Sequence, residues 1–417
     1  MSRKSFNNKW GEIKIPLNYD EVWKKLTDKL SDFKAFKKDA ADELNTLNVI
    51  VPQVFSQDYD ALMKQLNPDP SKITNNGAYP TEEYKQGLII PFSKRFSNYQ
   101  DMLSWACNIM QNKMIMASDG SQIYPTKDYT MPVGLVQVAY YINEFKPERK
   151  YEKATVLEIL SPNELELTDG DTIIDNEAVN IKRFESEFQI LDQKMNEYAK
   201  RVPRPSFGMF IFDGSLIVSF ASKLEFTRPR YLNSIHLSVK NSSLTQFPLV
   251  GYIDSSAAKD VGNMILTLSG SKEPIRYNSD ASIIQHYCDK QGQKLELGDR
   301  TCVFIADRND PVYTSYPSKV GQKIAFFYIK LNDENPSRVE FPEWIVQHPD
   351  LLQQMTETLV VDAISGMGYP YSTDECHHNA VIPHQDAQKF FYVMQEFSKK
   401  NGLDFKIRTK TASKLRR

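Results

Sequence analysis

The sequence is poor in cysteine. Its four copies (Cys107, Cys288, Cys302, Cys376) lie far apart and form no C-x-x-C pair. That argues against a structural zinc site and for reduced thiols in a cytoplasmic compartment. Long apolar runs are also missing. The longest, Ile324–Ile329, has six residues, where a membrane helix needs ~20, so no membrane span is expected. The opening MSRKSFNNKW carries charge with no apolar stretch behind it and does not read as a secretory signal. Nor is there an excess of either charge: 51 Lys+Arg stand against 53 Asp+Glu. Contact with nucleic acid would then have to come from local basic patches. With 41% hydrophobic and 25% charged residues the chain is neither disordered nor fibrous. Its 417 residues predict two or three domains, or one large one with additions.

The first ninety residues differ from the rest. Val22, Leu26, Leu30, Phe33, Phe36, Ala40, Leu44 and Leu47 recur at steps of three or four, which predicts one long amphipathic helix from Asn18 to Leu47. Asn18 can cap it, and Asp20 and Glu21 suit its first turn. Such a stripe ordinarily packs on the protein's own body; docking to a partner is the second reading. Residues 67–83 hold three prolines and Asn75-Asn76-Gly77 and read as turns and a connector. A helix is expected over Tyr99–Gln111. Strand signals follow at Lys113–Ser118, Gly134–Phe145 and Ala154–Leu160, then a helix over Asn176–Arg201. Phe207–Phe212 and Pro248–Ile253 are strand-like, with a helix from about Ala257 to Leu268. Further strands are expected at Cys302–Ala306, Lys323–Leu331 and Arg338–Phe341, and helices near Leu351–Ser365 and Pro383–Asn401. Alternation of this kind predicts a mixed sheet covered by helices.

One pattern occurs twice: an apolar strand followed by Asp-Gly-Ser, at Asp119-Gly120-Ser121 and at Asp213-Gly214-Ser215. Each copy is expected to set a carboxylate at the C-terminal end of a buried strand, where α/β sheets collect ligands, with the glycine letting the backbone turn. A single Asp-Gly is an ordinary turn. Two copies on neighbouring strands would crowd two anions, which calls for a divalent cation. Glu185 and Glu187, on the intervening helix, lie about 200° apart around its axis, so only one can face such a site. Near the end comes GYPYSTDECHH, and three of the six histidines fall at His377, His378 and His384. Adjacent histidines on a helix diverge, so at most one of His377 and His378 is expected to share a metal. A zinc reading with Cys376, His377 and His384 has no second cysteine nearby.

Taken together these residues resemble the NurA nuclease family, the DNA-end-processing partners of the HerA ATPase. The resemblance runs from about Met114 to Phe391. Its landmarks are the two DGS motifs, GDRTCVF from Gly298, IAFFYIKL from Ile324, RVEFPEW from Arg338 and GYPYSTDECHHNAVI from Gly368. It implies an α/β fold: a ribonuclease H-like mixed β-sheet flanked by helices, with an N-terminal helical region. The implied division is a helical region and linker over 1–95, a nuclease domain over 96–402 and a basic tail over 403–417. The activity implied is a divalent-metal-dependent deoxyribonuclease acting as exo- or endonuclease. It would use two Mn2+ (or Mg2+) ions and work in DNA repair or anti-phage defence. The partners implied are DNA, a second copy of the chain and a HerA-type hexameric ATPase. Carried over by motif, Asp119 and Asp213 match the family's aspartates and Glu187 its helical glutamate, with Glu185 the alternate. His377 matches the late histidine, with His378 the alternate. Asp119, Glu187 and Asp213 would ligate metal, and His377 would ligate metal or donate a proton. For DNA contact the candidates are the tail, with Lys414, Arg416 and Arg417, and Lys259 at a helix start. Two competing readings are a catalytically degenerate docking subunit of the same ATPase and a metal-dependent small-molecule phosphatase.

Overall fold

The structure is a computed structural model that describes residues 17–146, 151–166 and 176–408. Three helices open it: α1 (Tyr19–Asp28), α2 (Leu30–Phe55) and α3 (Tyr59–Leu66). Short strands β1 (Gly77–Pro80) and β2 (Ile89–Ile90) and helix α4 (Tyr99–Ile109) lead into a meander of β3 (Lys113–Ile123), β4 (Gly134–Asn143) and β5 (Glu152–Leu160). Helix α5 (Asn176–Ala199), strand β6 (Phe207–Asp213), helix α6 (Arg228–Thr245) and strand β7 (Leu249–Ile253) follow. Next are α7 (Asp260–Ser269), α8 (Asp280–Lys290), β8 (Arg300–Thr301), β9 (Phe304–Asp307), α9 (Tyr316–Val320), β10 (Ile324–Ile329) and β11 (Ser337–Pro342). Helices α10 (Pro349–Ser365), α11 (Tyr371–Ala380) and α12 (His384–Lys400) close the described chain.

All strands join one sheet in the order β1-β9-β10-β11-β7-β6-β3-β4-β5, with β2 reaching β10 through β8. Only β3/β6 and β6/β7 are parallel pairs among the described residues. An antiparallel meander, then two parallel strands each reached through a helix, is the ribonuclease H-like order that the family resemblance implies. The central strands β6, β7, β10 and β11 are buried along nearly their whole length, as strands covered on both faces must be.

Several local expectations are corrected. The long first helix is two helices, broken at Lys29, whose amide turns back to the carbonyls of Leu26 and Thr27. Its stripe does not pack throughout. Leu47 is buried, but Leu26, Leu30, Phe33 and Phe36 are 46–59% exposed. Contact with the body begins at Phe36, whose ring meets Tyr277 edge-on. The stretch read as connector contains β1, which pairs with β9, while β2 nearby pairs with β8. Helix α6 was not anticipated. It is rich in Ser and Asn, which usually favour caps and turns, but Ser238 and Asn241 are tied to the Asp192 carboxylate of α5.

The largest correction concerns the first DGS. Strand β3 does not stop at Asp119. It runs on to Ile123, pairing Asp119 with Ala139 and Gly120 with Val138. Only the second DGS ends its strand, with Gly214 at φ 151 turning the chain, a conformation few L-residues adopt.

Candidate active site

Parallel pairing puts the two aspartates abreast. Ser118 of β3 is in register with Phe212 of β6, so the next residues, Asp119 and Asp213, sit side by side on strands ~4.8 Å apart. Asp119 turns toward α11, where its Oδ2 lies 2.9 Å from His377 Nδ1. Its Oδ1 accepts the Gly120 amide at 2.7 Å. Asp213 receives the Tyr369 hydroxyl, 3.4 Å from each carboxylate oxygen. Asp254, at the end of β7, accepts from Tyr252 and Ser337; its charge also bears on Asp213.

Glu187 approaches from the other side of the sheet. Ser118 and Gly120 face α5, and Ser118 Oγ donates to the Glu187 carbonyl. A Cβ at Gly120 would lie 2.4 Å from Glu187 Oε1 and 2.6 Å from Arg183 Cγ. The glycine therefore does not turn the backbone, as its sequence suggests. It clears a gap in the strand through which the carboxylate approaches. Glu187 is buried, and its Oε1 has no hydrogen-bond partner. Arg183 Nε, also without one, stands 3.7 Å away, and Arg183 Nη1 donates to the Gly120 carbonyl.

The electrostatics follow from the crowding. Burial pushes Glu187 up to about 8, with the charges of Asp119 and Asp213 adding to it and Arg183 opposing. Asp213 keeps a surface-accessible edge, but the protein packed around its carboxyl and the neighbouring Asp119 raise it to about 6. Burial and the nearby carboxylates hold the Tyr369 phenol well above its ordinary range, so it stays a donor.

The turn after Asp213 is gripped from β11. Glu340 Oε2 accepts from the Leu216 amide (2.7 Å), Ser215 Oγ (2.8 Å) and the Ile217 amide (3.2 Å). Its Oε1 accepts from Arg338 Nε at 2.7 Å. Arg338 is fully buried, stacked 3.7 Å over Phe326, and pairs with Asp260, which Arg308 also holds.

Of the residues singled out from the sequence, Asp119, Asp213, Glu187 and His377 gather at one end of the central strands. The alternates do not. Glu185 is bidentate to Arg230, and His378 bonds back to the Asp374 carbonyl. The zinc reading fails: the Cys376 thiol is buried against the Ala117 carbonyl, burial pushes it far above its ordinary range, and His384 pairs with Gln388. Lys259 Nζ donates to the carbonyls of Ile275 and Arg276. Lys414, Arg416 and Arg417 lie outside the described residues. Sequence reasoning assigned no role to Tyr369, although the GYPY motif contains it, or to Arg183, which stands one helical turn before Glu187.

Among the described residues no three His, Cys, Asp or Glu side chains already close into a metal cage. The donor set nevertheless suits a hard divalent cation in kind. It offers carboxylates that repel one another and a buried carboxylate oxygen that makes no hydrogen bond.

Together, a ribonuclease H-like sheet, two aspartates abreast on its parallel strands and a buried glutamate behind them define a nuclease-type domain. The NurA domain model matches residues 113–382, and the chain belongs to the NurA family. No curated protein matches the sequence. Among solved structures it is similar to the NurA nuclease from Sulfolobus solfataricus (14% identity, 69% of this chain and 85% of that one, TM-score 0.45). It is also similar to a NurA crystallised with manganese (8%, 71% and 96%, 0.37). A third is the catalytic domain of human endonuclease V (10%, 70% and 84%, 0.31). These TM-scores lie below 0.5, so membership rests on the sequence match. No helix among the described residues is long and apolar enough to cross a membrane.

Proposed function

We propose that the chain hydrolyses DNA phosphodiesters with divalent cations, Mn2+ or Mg2+, held by Asp119, Asp213 and Glu187, with His377 at their edge. One observation carries the reading: Glu187 is buried behind two adjacent aspartates, its Oε1 makes no hydrogen bond, and the Arg183 guanidinium 3.7 Å away does not offset the crowding that raises it. A fold gains nothing from such a cluster unless a cation joins it. Cations held by these carboxylates would supply an activated water and stabilisation of the leaving oxygen. The chain's own groups do the rest. Tyr369 fixes the orientation of Asp213 through its hydroxyl. His377 binds Asp119 through Nδ1, and its ring is 62% exposed, which leaves it open to hand a proton to a departing oxygen. Arg183 limits the charge on Glu187.

On this reading the protein works in the cytoplasm as a homodimer with a HerA-type hexameric ATPase that feeds it DNA ends, in repair or in defence against foreign DNA. The exposed apolar stripe of α1 and early α2 gives such a partner a face to dock on. A second reading, a docking subunit with a dead site, draws on Asp119, whose two oxygens are already engaged by Gly120 and His377.

The test is purified protein on labelled linear and circular DNA with manganese, magnesium or chelator, with and without the ATPase. Metal-dependent cleavage that vanishes in Asp119→Ala is expected. DNA-dependent ATPase binding with no cleavage under any metal would establish the docking subunit instead.

A further inference from the structure

Helix α11 carries His377, and the loop before it, residues 366–370, carries Tyr369. Two contacts of the site therefore depend on how this segment is held. The later part of α11 is tied to the sheet: the Cys376 thiol donates to the Ala117 carbonyl of β3, and Gln137 of β4 donates to the carbonyls of Asn379 and Ala380. Its first turn lacks a local cap, because Pro370 at the cap position offers no side-chain bond. The free amide of Ser372 is taken instead by Asp362, on the preceding helix α10.

Asp362 is buried, and both its oxygens accept the Ser372 amide at 3.2 Å; its Oδ2 also meets the Ser372 hydroxyl at 2.5 Å. The chain between the two residues doubles back. The Gly366 amide donates to the Asp362 carbonyl, the Gly368 amide to the Ala363 carbonyl, and Asn332 to the Gly368 carbonyl. One side chain thus closes the base of an excursion of ten positions, with Tyr369 on its returning limb. From there the Tyr369 hydroxyl reaches Asp213, and its ring meets Tyr252 edge-on at 5.5 Å.

A capping carboxylate ordinarily belongs to the residue just before its helix. Asp362 comes from another helix and is buried, and no cation among the described residues offsets its charge. The titratable groups that feel it, Tyr141 on β4 and Cys376 on α11, are themselves raised and stay neutral. Burial lifts Asp362 to about 7. An apolar contact would join two helices without that penalty. What the carboxyl adds is a fixed direction, through two bonds to one residue.

We infer that Asp362 is a positioning residue of the site: by closing the base of loop 366–370 it fixes the Tyr369 hydroxyl against Asp213. The inference rests on the nuclease reading for its purpose, but the clasp is tested without metal. Amide hydrogen exchange is followed by mass spectrometry over residues 366–376 of the full chain, as protection relative to intrinsic rates. Asp362 holds its proton more tightly with the loop closed than open, so opening becomes easier as pH rises through about 7. Between about pH 6 and about pH 8 the wild type should lose about tenfold more protection than Asp362→Asn, which cannot ionise. Asp362→Leu keeps the volume and removes both bonds; it should be about tenfold less protected than wild type at the lower pH. A leucine variant protected like the wild type, or an asparagine variant with the wild-type pH response, overturns the clasp. The asparagine comparison decides alone if the leucine variant does not fold.

The link to the site is read from Mn2+ affinity and, in parallel, DNA cleavage, in Asp362→Leu, Tyr369→Phe and the pair. Each single variant should be about tenfold weaker, and the pair no weaker than the weaker single, because both act through Asp213. Asp362→Asn, which reproduces the bonds of the protonated carboxyl, should stay within about twofold of wild type. Losses that multiply in the pair overturn the positioning role. If no form cleaves, the nuclease reading falls, and Mn2+ affinity alone decides the role of Asp362.

Discussion

Two groups of buried charge lie on the same sheet, a few strands apart, and they are built in opposite ways. Around Arg338 every carboxylate has a cation or a set of donors. Asp260 takes Arg308 and Arg338, Glu340 takes Arg338 and two amides, and Asp280 takes the Val261 and Gly262 amides and the Tyr328 hydroxyl. Burial alone would raise the Asp260 carboxyl, but the two guanidiniums outweigh it and hold it below its ordinary value. Around Asp119 three carboxylates crowd together, the Arg183 guanidinium stands 3.7 Å from Glu187 Oε1, beyond hydrogen-bonding distance, and both Glu187 and Asp213 are raised. The first group balances its charges within the fold, although burial and the Asp260 charge still raise Asp280 to about 6 and Arg338 Nη2 makes no hydrogen bond. The second leaves its carboxylates raised by crowding, which the proposed cations would relieve.

The contrast can be broken from either side. Arg338→Met should cost the fold about 3–5 kcal/mol, because it strands buried carboxylates; urea unfolding measures it. Asp119→Ala should leave the unfolding midpoint unchanged or higher, since it removes repulsion. It should lower manganese-dependent cleavage at least about 100-fold, each tenfold being ~1.4 kcal/mol. An equal loss of stability in both variants would erase the distinction. Glu340→Gln joins the two groups, since it loosens the grip on the turn after Asp213. A stability loss of about 1.5–3 kcal/mol is expected from weakened charge-assisted bonds, accompanied by a fall in cleavage rate with little change in DNA affinity. Gly120→Ala fills the gap through which Glu187 reaches and should cost about 1–3 kcal/mol, with cleavage reduced more than in an alanine control at half-buried Ser243 on α6.

The last test is the pH response. A carboxylic acid raised in the folded state holds its proton more tightly there. Its contribution is fully present below the unfolded value, near 4.5 for Glu187, and is lost as pH rises through about 8; for Asp213 the loss ends near 6. Asp260, lowered, contributes above its ordinary value and loses that contribution toward acid. Metal-free protein should therefore melt at lower temperature as pH climbs from 5 to ~8. Asp280 and Asp362 are raised by burial into the same window, so Glu187→Gln should reduce that slope without abolishing it, and it should leave the acid limb untouched.

Much of this was legible beforehand because strand and motif signals are local. The two DGS motifs located both aspartates, and the helical geometry required a choice between Glu185 and Glu187. What could not be read was tertiary. Nothing local says that Arg230, more than forty residues on, will claim Glu185, or that Gly120 serves a carboxylate on another element and not a turn. Helix α6 and strands β1 and β2 escaped for a related reason. Their own propensities are weak, and distant partners impose their form.

Strands β1 and β2 also bear on how the protein can be handled. They carry the far margin of the sheet, hydrogen-bonded to residues more than two hundred positions later. A truncated version begun after residue 95 would strip that margin and bare the backbone of Phe304–Asp307, inviting edge-to-edge aggregation. A minimal fragment chosen by motif boundaries alone would thus misrepresent the enzyme's behaviour in solution before any assay began.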